Sequence, residues 1–316
     1  MDISVVVPLL DEKQSLAPLC DRIDKALSEA GLSYEVILVD DGSLDGSWNE
    51  ILRLSQENKA IHGICFRRNY GKSAALYCGF QKAEGEVVVT MDADLQDFPE
   101  EVPEMYRMIK EEDWDIVSGW KQHRQDNALT KNLPSKLYNA TARKITGIKL
   151  HDMNCGLKAY KKEVVKNIEV YSEMHRYIPY LAKNAGYTRI TEKATRHAKR
   201  QFGKSKFGMS RFVNGFLDLL SLWFLSTFGK KPMHFFGYSG IFTFLVGFVM
   251  AIWIIVDKLL AQSHHLPFRP VTEQPLFFLA LVAIIIGVLF FLAGFLGEMI
   301  ARSSSDRNHY NIKSEF

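Results

Sequence analysis

The sequence predicts an α/β protein, with a mostly parallel sheet and flanking helices followed by an amphipathic interfacial helix and a two-helix transmembrane hairpin. Short β-branched runs alternate with helically spaced apolar residues over about the first 120 residues. This alternation is typical of parallel sheets joined by right-handed crossovers. Residues 235–256 and 275–297 form two uncharged apolar runs, and about 20 such residues suffice to cross a bilayer.

The predicted elements follow one another closely along the first part of the chain. The expected strands cover residues 3–8, 34–39, 61–66, 87–90 and 115–118. The expected helices cover residues 11–27, 47–57, 73–83, 99–110 and a segment near 135–146. Glycine and proline residues bound most of these segments, as they commonly bound strands and helices.

Composition limits the classes of function. The chain has 316 residues, a formal charge of +3 and 24% charged residues, which gives no footprint of a nucleic-acid-binding protein. Its four cysteines are scattered without a Cys-x-x-Cys pair, as expected of reduced thiols in a cytosolic domain rather than of a zinc site. The first residues lead directly into a strand, so we expect no cleavable signal peptide.

Acidic residues follow several of the predicted strands. Asp92 and Asp94 come directly after the run 87–90, and Asp40 and Asp41 follow the second strand. The carboxyl ends of strands are where open α/β sheets bind their ligands. If the backbone stays extended, Asp92 and Asp94 point to the same side and can hold one divalent cation. Taken alone, an Asp-x-Asp sequence is equally compatible with a polar turn.

The segment between the α/β part and the apolar runs has the pattern of an interfacial helix. Arg211, Asn214, Asp218 and Ser221 fall on one helical face of residues 209–232, and apolar side chains cover the other faces. So wide an apolar face suits the membrane interface, although an ordinary buried helix is the alternative.

The charges around the two apolar runs predict their orientation. The flanks carry the basic residues Lys230, Lys231, Arg302 and Arg307, whereas the connecting loop carries only Lys258 and Arg269. The positive-inside rule therefore predicts two spans with the α/β domain and both termini in the cytoplasm. Residues 233–300 would form the hairpin and 301–316 a cytoplasmic tail.

Six motifs in order resemble those of family 2 glycosyltransferases, and more narrowly the polyprenyl-phosphate sugar transferases, which include the dolichol-phosphate mannose synthase group and bacterial relatives with a two-span anchor. The motifs are Pro8-x-x-x-Glu12, Val39-Asp40-Asp41-Gly42-Ser43-x-Asp45-Gly46, Arg68-Asn69-x-Gly71-Lys72, Asp92-Ala93-Asp94-Leu95-Gln96, Asp152-x-x-Cys155-Gly156-Leu157-Lys158 and Arg200-x-x-Gly203-x-Ser205-Lys206. The resemblance implies a GT-A type fold in residues 1–208 and a multi-pass protein of the bacterial inner (cytoplasmic) membrane.

The resemblance also implies the residues that bind a nucleotide-sugar donor. The implied donor contacts are Pro8, Leu10, Glu12, Val39, Asp41, Asp92, Ala93, Asp94 and Lys121. The implied ligands of Mg²⁺ or Mn²⁺ are Asp92 and Asp94, with Gln96 as a further ligand. Lys121 stands where the family has an arginine, which keeps the charge but loses the bidentate fork.

The implied reaction is inverting transfer of a sugar from a nucleotide-diphosphate sugar to polyprenyl (undecaprenyl) phosphate. A phosphate monoester is mostly a dianion at neutral pH and needs no general base. Arg200 and Lys206, with Lys131 or Arg143, are expected to hold the acceptor phosphate. Asp92, Asp94, Asp152 and Arg200 are the candidate catalytic residues. Asp152 is interpreted as a general base, as a positioning residue or as a structural turn residue.

Two other functions compete with this interpretation. A processive polysaccharide synthase shares the nucleotide-binding half, but its Gln-x-x-Arg-Trp motif does not occur here. A non-enzymatic membrane adaptor is disfavoured by the intact pair Asp92 and Asp94. The sequence mildly favours a UDP- over a GDP-sugar and leaves the sugar open. A homo-oligomer assembled through the hairpin is compatible with the layout.

Overall fold

The computed structural model describes residues 1–121, 140–144, 146–171, 174–198, 232–264, 267, 269–303 and 312–315. The chain divides into two compact units. The first comprises Met1–Leu220 together with Arg307–Phe316, and the second comprises Ser221–Asp306. The predicted domain boundary at residue 208 and all but the last residue of the predicted interfacial segment 209–232 lie outside the described residues.

The first unit is built on one mixed sheet. Its strands in the described residues are β1 (Ile3–Leu9), β2 (Tyr34–Asp40), β3 (Ile61–Phe66), β4 (Val87–Thr90), β5 (Ile116–Lys121), β6 (Lys158–Lys161), β7 (Ile190–Thr195) and β8 (Ile312–Glu315). They lie in the order β7-β5-β6-β4-β1-β2-β3-β8. All neighbouring pairs are parallel except those made by β6 and β8. The predicted mostly parallel sheet is therefore confirmed.

Helices cover both faces of this sheet. They are α1 (Lys13–Glu29), α2 (Ser47–Glu57), α3 (Lys72–Lys82), α4 (Val102–Glu111), α5 (Lys162–Asn167) and α6 (Ile178–Asn184). Single 3₁₀ turns occupy Pro99–Glu101 and Met174–Tyr177, and residues 140–144 are also helical. The sheet separates two apolar clusters, one formed with α1, α2 and α4 and the other with α3, α5 and α6. Burial on both faces explains why the central strands are almost continuously apolar.

Several element boundaries agree with the sequence predictions, and others are longer. The helix 47–57 and the strands 61–66 and 87–90 begin and end where predicted. β1 continues through Pro8 to Leu9. This is possible because β4 has already ended opposite Val6, so β1 needs no ladder donor on that side. β5 extends to Lys121 because it continues to pair with β7 as far as Thr195.

Residues 312–315, within the predicted tail 301–316, form a strand that the sequence analysis did not predict. They form β8, which pairs antiparallel with β3, and Phe66 lies opposite Ile312. Without β8 the unpaired backbone groups of β3 would form an exposed edge of the sheet. The polar sequence Ile312-Lys313-Ser314-Glu315 carries no strand pattern of its own, so its conformation depends on this partner.

The second unit consists of two long helices, α7 (Pro232–Ser263) and α8 (Pro275–Ser303). A 3₁₀ turn, Val271–Glu273, precedes α8. Both helices are long and apolar enough to cross a membrane, over Met233–Ser263 and Pro275–Gly297. Most of their large apolar side chains are exposed, as in a pair of helices that lipid would surround.

The two helices approach closely at small residues. A Cβ atom added to Gly240 would lie 2.7 Å from the carbonyl oxygen of Gly287, and one added to Gly247 would lie 2.7 Å from that of Ala280. Both pairs are backbone-to-backbone contacts, which only small residues allow. The hairpin is therefore held by close backbone packing.

Candidate active site

Asp41 directly follows β2 and ties two loops together. Its carboxylate accepts hydrogen bonds from the backbone N–H groups of Tyr70 and Gly71, at 2.7 and 2.9 Å. Burial raises the pKa of Asp41, against the effect of these two hydrogen bonds. Gly42 has a φ of 79°, and a Cβ there would lie 2.7 Å from the carbonyl carbon of Arg68. Asp41 therefore organises the loop edge at which a nucleotide contact was predicted.

The other donor contacts predicted on β1 and β2 lie at the same edge of the sheet. Pro8 and Val39 are register partners in β1 and β2. Leu10 is half-buried just after β1, and Glu12 precedes α1. The backbone N–H of Glu12 donates to Ser47 Oγ at 3.1 Å. The structure thus brings these four predicted residues together at the carboxyl ends of two adjacent strands.

Two further carboxylates near this edge join the loops. The backbone N–H of Asp11 donates to Ser43 Oγ at 2.8 Å, and the Asp11 carboxylate accepts from the N–H of Leu44 at 2.9 Å. The Asp45 carboxylate accepts from the N–H of Lys13 at 3.0 Å. These contacts fix the loop after β1 to the loop after β2.

The segment after β4 carries the predicted metal ligands. The chain turns at residues 93 and 94 instead of continuing as an extended strand. Asp92, Asp94 and Gln96 are nevertheless partly exposed, while Ala93 and the other residues between them are buried. Leu95 adopts a φ of 61° with only 2% of its surface exposed, so this loop is locally strained. Both candidate carboxylates face the accessible side of the loop.

Lys72, the first residue of α3, is a site residue that the sequence analysis did not single out. Its Nζ lies 2.5 Å from Asp92 Oδ1, and the two side chains are 36% and 34% exposed. Burial opposes ionisation of Asp92, but the charges of Lys72, Lys121 and Lys158 hold its pKa at about 2. Asp92 is therefore ionised at neutral pH. The only sequence signal for Lys72 is its place in the motif Arg68-Asn69-x-Gly71-Lys72.

Gly156 provides the space that Asp92 occupies. A Cβ at Gly156 would lie 2.4 Å from Asp92 Oδ2 and 2.6 Å from its Cγ. Thr90 Oγ donates a hydrogen bond to the carbonyl oxygen of Gly156 at 2.8 Å, which fixes that backbone beside the end of β4. Any larger side chain at this position would displace the carboxylate.

Lys121, predicted as a diphosphate contact, forms a buried ion pair with Asp97. Lys121 Nζ lies 2.9 Å from Asp97 Oδ1, and the side chains are 12% and 2% exposed. Burial lowers the pKa of Lys121, but Asp97 and Asp92 raise it more, so the amine stays charged. Asp97 Oδ2 is buried and has no hydrogen-bond partner among the described residues. The pair joins the end of β5 to the loop after β4.

Lys158 adds a third amine beside Asp92. It is 3% exposed in β6, and its Nζ donates to the carbonyl oxygen of Cys155. Burial lowers its pKa. Lys72 and Lys121 give the carboxyl end of β4 a cationic surrounding that suits an anionic ligand.

Gln96 connects the Asp92 loop to the chain that precedes Arg200. The carbonyl oxygen of Gln96 accepts from the N–H of Ala198 at 3.0 Å, and its side-chain Nε2 donates to the Ala198 carbonyl at 3.2 Å. Arg200 follows two residues later. Arg200, Lys206 and Lys131, three of the predicted acceptor contacts, lie outside the described residues.

Ion pairs strengthen the same connection. Lys193 Nζ lies 2.9 Å from a carboxylate oxygen of Glu104, and Arg196 Nε lies 2.9 Å from one of Glu101. The Arg196 guanidinium also stands 4.8 Å from the ring centroid of Phe98. The segment leading to residue 198 is therefore held against the residues that follow Asp94 and Gln96.

Asp152 and Arg143 lie in the segment before β6. Asp152 is buried, and one of its oxygens accepts from the backbone N–H of Asn154 at 3.2 Å, as in a turn. Arg143 is half-buried, and its Nη1 donates to the carbonyl oxygen of Leu150 at 3.4 Å. The contact of Asp152 agrees with the turn interpretation, and the roles of both residues toward a substrate stay predictions.

Asp92 and Asp94 fit a divalent cation that is shared with an anionic ligand. Among the described residues, no group of three or more His, Cys, Asp or Glu side chains is placed to hold a metal ion. Two carboxylates suffice for a small hard cation, which commonly keeps waters and binds phosphate oxygens of the substrate. Asp92 is ionised, and one oxygen of Asp94 accepts a 3.2 Å hydrogen bond from the backbone N–H of Gln96. A divalent cation held by these two carboxylates would neutralise charge on a diphosphate group.

Residues 4–169 match the family described as glycosyl transferase family 2. The chain is 34% identical to dodecaprenyl-phosphate galacturonate synthase of Rhizobium johnstonii over 305 residues, which cover 96% of this chain and 88% of that protein. It is 36% identical to undecaprenyl-phosphate 4-deoxy-4-formamido-L-arabinose transferase of Shewanella sediminis over 306 residues, covering 96% and 88%.

Solved structures agree on the fold. Glucosyl-3-phosphoglycerate synthase from Mycobacterium tuberculosis, in complex with Mn²⁺, uridine diphosphate and phosphoglyceric acid, matches with a TM-score of 0.53 and 19% identity. The match covers 71% of this chain and 78% of that one. At this identity the likeness supports the predicted GT-A type sheet and does not extend to the substrate.

Proposed function

The chain belongs to glycosyltransferase family 2, and from this premise we propose that it transfers a sugar from a nucleotide-diphosphate sugar to a polyprenyl phosphate such as undecaprenyl phosphate. Two relatives that align over 96% of the chain are named for polyprenyl-phosphate substrates. The observation that carries the proposal is the ionised Asp92 beside Asp94, at the carboxyl end of β4 and surrounded by lysine amines.

The donor lies across β1, β2 and β4 in this proposal. Pro8, Val39 and Asp41 line the edge that receives the nucleoside, and Asp92 and Asp94 hold a divalent cation, Mg²⁺ or Mn²⁺. When bound, this cation neutralises negative charge on the diphosphate leaving group. Because Gly156 has no side chain, the Asp92 carboxylate has room to lie beside that group.

Lys72 stabilises the departing nucleoside diphosphate directly. Its ammonium lies against Asp92, where negative charge increases as the glycosidic bond breaks. A fixed ammonium in a partly desolvated site stabilises such charge without reorganising at the moment of reaction. Lys121 acts at longer range, because its pair with Asp97 is buried, whereas the Lys72 side chain is 36% exposed.

The acceptor phosphate needs binding rather than deprotonation. Its second pKa is about 6, so it is mostly dianionic at neutral pH. Direct attack by this oxygen inverts the anomeric carbon, and Asp152 serves as a positioning residue. Arg200 and Lys206, with Lys131 or Arg143, supply the positive charges that hold the acceptor beside an anionic donor.

The protein is membrane-anchored, and we propose that α7 and α8 both span the bilayer. Residues on both sides of the hairpin belong to the first unit, since β8 pairs with β3. An even number of spans is required for this, and the positive-inside rule then places the first unit in the cytoplasm of a bacterial cell. The exposed apolar surfaces of α7 and α8 also support a homo-oligomer assembled through the hairpin.

A donor screen in membranes tests the proposal. Radiolabelled UDP- and GDP-sugars are incubated with undecaprenyl phosphate and the full-length protein, and we expect one donor, a UDP-sugar, to give a lipid-extractable product. Formation of this product should require a divalent cation, and Asp94→Asn should abolish it without changing the melting temperature. Asp113→Asn, in an exposed ion pair with Lys161, is the matched control.

The outcome of this screen separates the competing functions. Absence of a lipid-linked product with every donor, or full activity in chelator, contradicts the proposal. Repeated addition of sugars to one acceptor would instead indicate a processive synthase.

A further inference from the structure

Trp120, His151 and Glu192 form a cluster near the carboxyl end of β5 that the mechanism above does not use. The Trp120 indole and the His151 imidazole are stacked, with centroids 4.3 Å apart and planes at 16°. Glu192 accepts a hydrogen bond from the backbone N–H of His151 at 2.7 Å, and its other oxygen contacts His151 Nδ1. One carboxylate thus fixes both the backbone and the ring of this histidine.

The sheet register places Trp120 in line with Asp92. Lys158 of β6 is the partner of Thr90 on one side and of Ser118 on the other. Asp92 and Trp120 each lie two residues beyond this aligned pair, Thr90 and Ser118, so they are aligned with each other across β6.

Gly156 lies between these two residues. Gly119 N–H donates to the carbonyl oxygen of Leu157 at 2.9 Å, so the pairing of β5 continues into the residues before β6. On the other side, a Cβ of Gly156 would touch the Asp92 carboxylate. Trp120 and Asp92 are therefore two strand spacings apart, about 10 Å, across a position that has no side chain.

Trp120 and Asp92 also point to the same face of the sheet. Val88 and Ile116 belong to one apolar cluster, on the face covered by α3. Side chains alternate along extended backbone, so residues 92 and 120 share the face of residues 88 and 116. The chain turns only after Asp92.

The direction of the donor decides which part of it meets this cluster. The proposed nucleoside contacts Pro8, Val39 and Asp41 lie on β1 and β2, on one side of Asp92 in the strand order. β6 and β5 lie on the other side. With the diphosphate at Asp92, the sugar must extend over Gly156 toward Trp120.

We propose that Trp120, His151 and Glu192 form the wall of the donor-sugar subsite and select an uncharged, hydroxyl-bearing pyranose; this inference rests on the proposed function. Because the Glu192 carboxylate only accepts, His151 Nδ1 carries a proton, and in the neutral imidazole Nε2 then presents a lone pair. That lone pair accepts a hydrogen bond from a sugar hydroxyl. A uronic acid that places its carboxylate where this hydroxyl would lie offers no donor there. The indole packs against the C–H face of the ring.

Competition binding with the full-length protein tests the subsite without using the acceptor. The affinities of UDP, UDP-glucose, UDP-galactose, UDP-glucuronate and UDP-galacturonate are measured in the presence of Mn²⁺. His151→Phe keeps a ring but removes Nε2, and we expect it to weaken binding of the preferred neutral sugar nucleotide about 3- to 10-fold relative to UDP. Trp120→Ala should weaken it at least as much. An unchanged UDP affinity shows that both variants are folded.

His62→Phe is the matched control, because His62 also faces a glutamate, with Nε2 3.8 Å from Glu35 Oε2. It should leave every ratio unchanged. The inference is overturned if His151→Phe and Trp120→Ala keep the wild-type ratio of sugar-nucleotide to UDP affinity. It is also overturned if the wild type prefers a uronate or binds no sugar nucleotide better than UDP. Normal ratios in the wild type without any lipid-linked product would instead refute the proposed function and leave the subsite standing.

Discussion

Replacing Lys72 by methionine removes one ammonium charge from the donor site and keeps the aliphatic part of the side chain. At the observed 2.5 Å from Asp92, Coulomb's law gives about 1.7 kcal/mol in water and about 6.6 kcal/mol at an effective dielectric constant of 20. Because both side chains are about one-third exposed, screening favours the lower end of this range, about 2 to 3 kcal/mol.

If Lys72 acts on the leaving group with a similar energy, Lys72→Met lowers kcat about 30- to 150-fold. The Michaelis constant for the donor should change much less, because the negative charge on the diphosphate increases only as the bond breaks. Lys72→Arg keeps the charge and should recover part of the rate. The assay is single-turnover transfer of a radiolabelled sugar to polyprenyl phosphate, with both variants checked for thermal stability.

Lys110→Met provides the matched control. Lys110 pairs with Glu86 at the same distance of 2.5 Å, but on exposed side chains at the opposite edge of the sheet. It should leave kcat unchanged. A Lys72→Met enzyme that keeps kcat within about threefold of wild type, or a Lys110→Met enzyme that loses as much, would refute the assigned role of Lys72.

Three further predictions concern other parts of the molecule. Gly156→Ala should reduce transfer and Mn²⁺ binding more than 100-fold, because its Cβ would overlap the Asp92 carboxylate at 2.4 Å; calorimetric titration of the metal measures this. Burial, with nearby cations, lowers the pKa of His175 to about 3. The stability that the neutral imidazole contributes is complete above the unfolded pKa of about 6.5 and is lost as pH falls. The loss reaches about 2 kcal/mol at pH 5. In denaturant titrations, His175→Gln should be less pH-dependent between pH 7 and 5. Gly240→Leu should separate α7 from α8, because a Cβ there would lie 2.7 Å from the Gly287 carbonyl; cysteine cross-linking between the helices measures this.

Each of these three predictions has an outcome that would contradict it. Normal metal binding by Gly156→Ala would show that the Asp92 carboxylate adopts another position. An unchanged pH slope in His175→Gln would assign the acid sensitivity to other groups. At Gly237 the three atoms nearest to an added Cβ all belong to the Met233 side chain, the first at 3.3 Å. Equal loss of cross-linking in Gly237→Leu would contradict backbone packing at Gly240 as the basis of the hairpin.

The parallel core of the fold was predictable because its strands are buried on both faces. The β-branched composition of runs such as Val87-Val88-Val89-Thr90 is enough to predict a buried strand. β6 and β7 were not predicted, since Lys158-Ala159-Tyr160-Lys161 and Ile190–Thr195 are mixed in polarity and become strands through distant partners. β8 was missed for the same reason.

The candidate site was predictable only in part, for the same reason. Asp92 and Asp94 were predicted as metal ligands from their place after a strand, and the structure shows them on the accessible side of the loop. Lys72 and Gly156 were missed because their roles depend on contacts with Asp92 from elements distant in the sequence. Spacing along the chain cannot reveal which amine reaches a carboxylate or where a missing Cβ leaves space for one.

The pairing of β8 with β3 has a consequence for biosynthesis. β8 is translated after both α7 and α8, so in the proposed two-span arrangement the β3 edge of the sheet stays open while the hairpin enters the membrane. A nascent chain that inserts only one of the two helices delivers residues 312–315 to the wrong side of the bilayer and leaves that edge uncovered. In that arrangement, completion of the sheet would require correct insertion of both helices, and an open β3 edge would make a misinserted chain prone to aggregation.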